Sequence, residues 1–145
     1  MRNHLWVVVA LHVAFGCKIV FAQDWIPERV VGMNYPPLAA HARRQGTVTL
    51  QCRIGEDGLV KSVKTISDSE QLSGNLLSQA AEDNATKWKF GRPKAIASVS
   101  GTSGIVVLKY TFVLEGDSRA CPKALFVFEY PDSVTVTAEP PSVQP

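Results

Sequence analysis

The residues of this sequence that could do chemistry are few and lie far apart. His41 is the only histidine beyond the first 22 residues, so a Ser-His-Asp or Cys-His nucleophile would have to be built on it. It falls in a predicted helix close to Arg43 and Arg44, whose positive charges favour a neutral ring over an activated one. An exposed helix histidine is the simpler interpretation, and the sequence does not predict an enzyme.

Metal and acid–base sites are disfavoured in the same way. Two distant cysteines, Cys52 and Cys121, and one histidine lack the close ligand pairs of zinc sites. The acidic residues Glu56 and Asp57 lie together in a predicted turn, where solvated carboxylates are common, and no buried acid is paired with them. We therefore expect no metal, no cofactor and no small-molecule substrate, and protein binding becomes the leading class of function.

The N-terminal segment has the parts of a secretory signal peptide. Arg2 supplies a positive start, an apolar run follows, and small residues lie near Ala22. Lys18 interrupts the apolar run well short of the roughly 20 residues that a spanning helix needs. We expect residues 1–22 to be a cleaved signal and the mature chain to be secreted. A short uncleaved anchor and a lipidated Cys17 are the alternatives.

Charge and cysteine content narrow the choice of partners. Two of the 15 basic residues lie in the signal segment, so the chain from Gln23 onward has 13 basic and 13 acidic residues. That balance does not predict binding to nucleic acid or to an anionic membrane. In an oxidising compartment Cys52 and Cys121 form a candidate disulfide, which would stabilise the fold by roughly 4 kcal/mol. Two unpaired thiols, with Cys52 in the core, are the alternative.

Five patterned segments make up the predicted domain, which spans residues 33–116 after a linker at 23–32. "YPPLAAHARRQG" predicts a short helix with Leu38, Ala39 and Ala42 facing inward. "TVTLQCRI" alternates as a half-buried strand, and "GEDG" predicts a hairpin into "LVKSVKTI", where a slip in the alternation indicates a bulge.

"LLSQAAEDNATKW" predicts an amphipathic second helix, and "GIVVLKYTFVLEG" predicts the last strand. This order predicts an α+β fold of two layers, with two helices on one face of a three-stranded antiparallel sheet. After it, residues 117–138 contain "ALFVFEYPDSVTVTAE", which predicts a β-hairpin, and residues 139–145 are Pro-rich and expected to be disordered. The hairpin either covers the edge of the last strand, or enlarges the sheet elsewhere, or mediates a homodimer.

Three segments taken in order, "NYPPLAAHARRQGTVTLQCRIGEDGLVKSVKTISDS", "LLSQAAEDNATKWKF" and "VVLKYTFVLEG", resemble the C-terminal domain of TonB. The resemblance covers roughly Val30 to Gly116. It implies a periplasmic domain that binds short segments of outer-membrane receptors by strand addition in TonB-dependent transport. The partner-binding residues that it implies are Tyr35, Pro36, Val107, Lys109, Thr111 and Val113. For Tyr35 the alternative is a hydrophobic staple on the first helix.

Two features depart from an energy-transducing TonB. Only "QDWIPERVVGM" separates the apolar segment from the domain, and a chain extends at most about 3.6 Å per residue, so force transmission across a periplasm is not expected. The second departure is the C-terminal hairpin. Two functions stay open: a domain that pairs its last strand with outer-membrane receptors or other envelope proteins, and a stand-alone structural or regulatory module whose edge is capped by its own hairpin.

Overall fold

The computed structural model describes residues 25–69, 75–92, 104–116 and 125–141. Seven strands and two helices lie in these ranges. In chain order they are β1 (Ile26–Arg29), α1 (Pro37–His41), β2 (Gly46–Ile54), β3 (Val60–Asp68), α2 (Leu76–Ala85), β4 (Lys89–Gly91), β5 (Gly104–Leu114), β6 (Leu125–Glu129) and β7 (Ser133–Ala138). The α+β class predicted from the sequence is confirmed.

The main sheet has five strands in the order β3-β2-β5-β7-β6. The expected sheet of three antiparallel strands is present as β3-β2-β5, but it is only part of the sheet, so the predicted strand number is wrong. The C-terminal hairpin adds β7 parallel to β5 and β6 antiparallel to β7. The physical reason is in β7 itself, whose Val134 and Val136 alternate with polar residues and therefore need a core to face.

The inner face of this sheet carries the core. The alternating residues Val48, Leu50 and Ile54 of β2 are fully buried, as their pattern predicts. Helix α2 packs on this face and buries Leu77 and Ala81. Helix α1 is shorter than two turns and buries only Ala39 fully. The expectation that Leu38 and Ala42 face inward is wrong, because so short a helix turns only Ala39 and Ala40 toward the core, and Leu38 is 69% exposed.

The turn between β2 and β3 is fixed by a glycine. Gly58 has φ +79°, a conformation that disfavours any side chain, and a Cβ there would lie 2.0 Å from the carbonyl oxygen of Phe90. That closeness reflects a direct contact, since the Phe90 amide donates to the Gly58 carbonyl at 2.8 Å. Lys61 is the extra residue of the predicted bulge, because Arg53 pairs with Ser62 and Ile54 with Val60.

A second, two-stranded sheet joins β1 to β4. Strand β1 lies inside the stretch predicted as a linker. Lys89 and Glu28 form an ion pair across this ribbon at 3.2 Å, and the Arg92 guanidinium lies 4.5 Å above the Trp25 ring. The chain is therefore tied to the domain from its first described residues.

Candidate partner-binding edge

The candidate site begins with the two faces of β5. The side chains of Val106, Leu108, Tyr110 and Phe112 are buried toward the helices. The predicted partner-binding residues Val107, Lys109, Thr111 and Val113 all lie on the opposite, outer face, since side chains alternate along a strand. The structure therefore brings these four predicted residues together on one side of one strand, with Val107 39% exposed.

The edge of β5 beside these residues is occupied by β7. The pairing is parallel and runs from Lys109 opposite Ser133 to Leu114 opposite Ala138. The Lys109 amide donates to the Asp132 carbonyl at 2.9 Å, and the Glu115 amide donates to the Ala138 carbonyl at 3.0 Å. Of the alternatives that the sequence left open, the structure has the one in which the hairpin covers the edge of the last strand, from Lys109 onward.

The pairing ends before the start of β5. The stretch from Ile105 to Leu108 lies beyond the register of β7, although its other side is paired with β2. Ile105 is 58% exposed. Among the described strands none pairs with this side of Ile105 to Leu108, so Val107 is the one predicted partner-binding residue of β5 that β7 leaves uncovered.

Apolar contacts hold the hairpin in place. Val134 and Val136 are each 1% exposed, and burying two such side chains stabilises by roughly 3–6 kcal/mol as an upper estimate. In β6 the Phe128 ring meets the Trp88 ring edge-to-face, with centroids 5.3 Å apart. Phe126 lies against Gly32 in the segment that precedes α1. The hairpin is an integral part of the core, and opening it would expose these side chains.

Tyr35 and Pro36, the other predicted partner-binding residues, lie at the start of α1. The Tyr35 side chain is 5% exposed and packs edge-to-face on Phe112, with ring centroids 5.6 Å apart. Its hydroxyl donates to the carbonyl oxygen of Arg44. The Pro36 carbonyl accepts the Ala40 amide at 2.9 Å. Tyr35 thus anchors the start of the first helix to β5, and both the staple alternative and a role in partner binding stay predictions.

A buried polar cluster around Asn84 contacts β5 on the side of the sheet that faces the helices. The Asn84 amide nitrogen donates to the Val31 carbonyl at 2.9 Å. Its side-chain oxygen accepts both the Trp88 indole N–H at 3.0 Å and the Tyr110 hydroxyl at 2.9 Å. One side chain therefore connects α2, β5 and the segment before α1. The sequence analysis did not identify this cluster, although an asparagine on the apolar stripe of the second helix was the available signal.

Two ionisable groups of the core, Cys52 and Tyr110, are kept neutral by burial. Burial raises the pKa of the Cys52 thiol from its ordinary 9.0 to about 12. Burial, and then the Coulomb interaction with Cys52, raise the pKa of the Tyr110 hydroxyl. Cys52 is a free, buried cysteine, and Cys121, its predicted disulfide partner, lies outside the described residues.

No catalytic constellation forms in the part of the chain that the structure describes. Among these residues, no group of three His, Cys, Asp or Glu side chains could hold a metal ion. His41 is exposed on α1. Asp57 is exposed, and its hydrogen bond from Lys61 at 2.6 Å lowers the pKa of its carboxyl. None of the helices within residues 25–141 that are described has the length and apolar character to cross a membrane.

Comparison with known proteins gives the chain a family. The model of the family described as "Gram-negative bacterial TonB protein C-terminal" matches residues 31–114, more than half of the chain. A solution NMR structure of the Pseudomonas aeruginosa TonB C-terminal domain is similar, with 20% sequence identity and a TM-score of 0.48, covering 68% of this chain and 94% of that one. No curated protein matches significantly.

Proposed function

Because the chain belongs to the family of Gram-negative bacterial TonB protein C-terminal domains, we propose that it is a non-catalytic protein-binding domain of the periplasm whose pairing edge is capped by its own C-terminal hairpin. Its partners are outer-membrane receptors of TonB-dependent transport or other envelope proteins. The hairpin thereby regulates the domain, because β5 can pair with a partner strand only after β7 has detached from it.

The single observation that carries this proposal is the parallel pairing of β7 with β5 from Lys109 to Leu114. Strand addition requires a row of free main-chain groups at a sheet edge. Here β7 uses the groups that an added strand would need. The chain therefore contains an internal competitor for any partner peptide that pairs with β5.

The competitor has two physical advantages over a separate peptide. It is tethered, and short tethers give effective concentrations in the millimolar range. It also inserts Val134 and Val136 into the core, and that burial is lost when it leaves. A receptor segment that offers only main-chain hydrogen bonds will not displace it, so constitutive receptor binding at this edge is disfavoured.

A second candidate function rests on the uncovered stretch from Ile105 to Leu108. Its outward side chains Ile105 and Val107 are exposed, and β7 does not reach it. A receptor segment could pair with these four residues without moving the hairpin. This mode gives a short ladder of hydrogen bonds and hence weak binding.

The test is an NMR titration of the full chain with receptor peptides that carry a TonB box, comparing wild type with Val136→Asp. The substitution places a charge in the core beneath the hairpin, which is unfavourable, so the hairpin should open. The matched control is Thr137→Asp, its neighbour on the outer face of the same strand. Preserved amide signals of β2 show that the rest of the sheet persists.

Three outcomes are distinct. The proposal predicts that peptide shifts appear along Lys109 to Val113 in Val136→Asp and are absent or much weaker in wild type and in Thr137→Asp. Peptide-induced shifts from Lys109 to Val113 in the wild-type protein would contradict the proposal that β7 blocks this edge. Shifts confined to Ile105 to Leu108 in all three proteins would support the second mode instead.

A further inference from the structure

The two outer edges of the five-stranded sheet are built differently. The β3 edge has two irregularities in its pairing with β2 and carries Lys61 and Lys64. Bulges and lysines are the usual means by which a sheet edge is protected from pairing with another chain. The β6 edge has neither. Its pairing with β7 is regular over five residues, and its sequence, LFVFE, contains one charge, Glu129.

The main-chain groups on the side of β6 that no described strand pairs with can be identified from the pairing of β7. The Asp132 carbonyl points at β5, since it accepts the Lys109 amide. Because these directions alternate along a strand, Val134 and Val136 also point toward β5, and Thr135 points toward β6. Val127 is opposite Thr135 and uses its main-chain groups in that pair. The amides and carbonyls of Phe126 and Phe128 therefore point away from the sheet.

We propose that this edge pairs with the same edge of a second copy of the chain, antiparallel and centred on Val127. The sequence around Val127 is symmetric in the required way, with a phenylalanine on each side. A two-fold axis through Val127 gives two equivalent pairs, in each of which Phe126 of one copy lies opposite Phe128 of the other. These are the residues whose main-chain groups are directed outward, so all four hydrogen bonds can form.

The side chains suit this arrangement on both faces of the joined sheet. Aromatic cross-strand pairs stabilise antiparallel strands, and two Phe126–Phe128 pairs form on the inner face. On the outer face the two Val127 side chains meet, and each Glu129 is opposite a Leu125, so no like charges are opposed. An unrelated peptide would need its own apolar residues at the positions opposite Phe126, Val127 and Phe128, whereas a second copy of the chain carries them in the required register.

The expected association is weak, because a five-residue strand pair is a small interface and stable dimers bury far more surface. Sedimentation of the full chain from low micromolar to millimolar concentration should show a reversible monomer–dimer equilibrium. Val127→Lys places two ammonium groups face to face at the axis and should raise the dissociation constant by about tenfold or more. Thr135→Lys, on the same face but one strand inward, is the control and should have little effect.

A cross-link tests the register directly. Val127 and its copy would form a non-hydrogen-bonded pair, whose Cα atoms lie about 4.5 Å apart, within the range that a disulfide bridges. In a background with Cys17 and Cys121 replaced by serine, Val127→Cys should oxidise readily to a covalent dimer, and Thr135→Cys should not. The proposal is overturned by a monomer at every concentration, by a dimer that Val127→Lys leaves intact, or by equal cross-linking of the two cysteine variants.

Discussion

At the scale of single residues, the buried Asn84 connects three parts of the domain. It is 3% exposed and serves four neighbours at once through one amide group. Replacing it with leucine, which has a similar shape, leaves the Trp88 indole N–H and the Tyr110 hydroxyl buried without their acceptor. Each such group costs about 1–3 kcal/mol.

We therefore expect Asn84→Leu to lower the free energy of unfolding by about 2–4 kcal/mol in urea denaturation. The neighbouring Asp83 is exposed on the same helix, and Asp83→Leu should change stability by less than about 0.5 kcal/mol. Equal losses for the two variants would show that the cluster does not stabilise the fold.

Cys52 makes the stability depend on pH on the alkaline side. Because burial raises the pKa of its thiol, the folded chain retains a proton that the unfolded chain loses. The stabilisation is complete below about pH 9.0 and is lost as the pH rises toward about 12. Tyr110 acts in the same direction.

In the presence of a reductant, Cys52→Ala should therefore lose stability less steeply than wild type above about pH 9.0. The alanine variant will be less stable throughout because of its cavity, so the slope of unfolding free energy against pH is the quantity to compare. Parallel slopes for the two proteins would show that the thiol is not held neutral in the core.

At the scale of elements, the sequence predicts those whose signals are local. The alternation of "TVTLQCRI", the glycine turn at Gly58 and the apolar stripe of α2 each depend on neighbours within one segment, and all three are present. Helix α1 was also predicted, but the direction of Leu38 was not, since in a helix so short the packing of Ala39 and Tyr35 decides the orientation.

The placement of the hairpin depends on contacts distant in sequence. The alternation of residues predicts its two strands, but no local sequence pattern predicts that β7 runs parallel to β5. That choice follows from the burial of Val134 and Val136 and from the contact of Phe128 with Trp88, which is 40 positions away in the chain. For the same reason, the sequence correctly placed Val107, Lys109, Thr111 and Val113 on one face of the last strand but left the occupancy of its edge open.

At the scale of the whole molecule, the C-terminal hairpin determines which strands lie at the edges of the five-stranded sheet. The central strand β5 has neighbours on both sides over most of its length, and the outermost edges are β3 and β6. Of these, β3 is protected by bulges and lysines, and β6 is not. The hairpin thus covers most of one side of β5 and places β6 at the edge of the sheet, and the two proposals above assign a different partner to each of these strands.

Native-state amide hydrogen exchange of the full chain, followed residue by residue by NMR, tests the capped edge most directly. The amides of Lys109, Thr111 and Val113 point toward β7, whereas that of Val107 points the same way beyond the end of β7. The account predicts that the first three exchange at least about a hundredfold more slowly than Val107. Exchange of all four at one fast rate, with the Tyr110 amide still protected by β2, would contradict it.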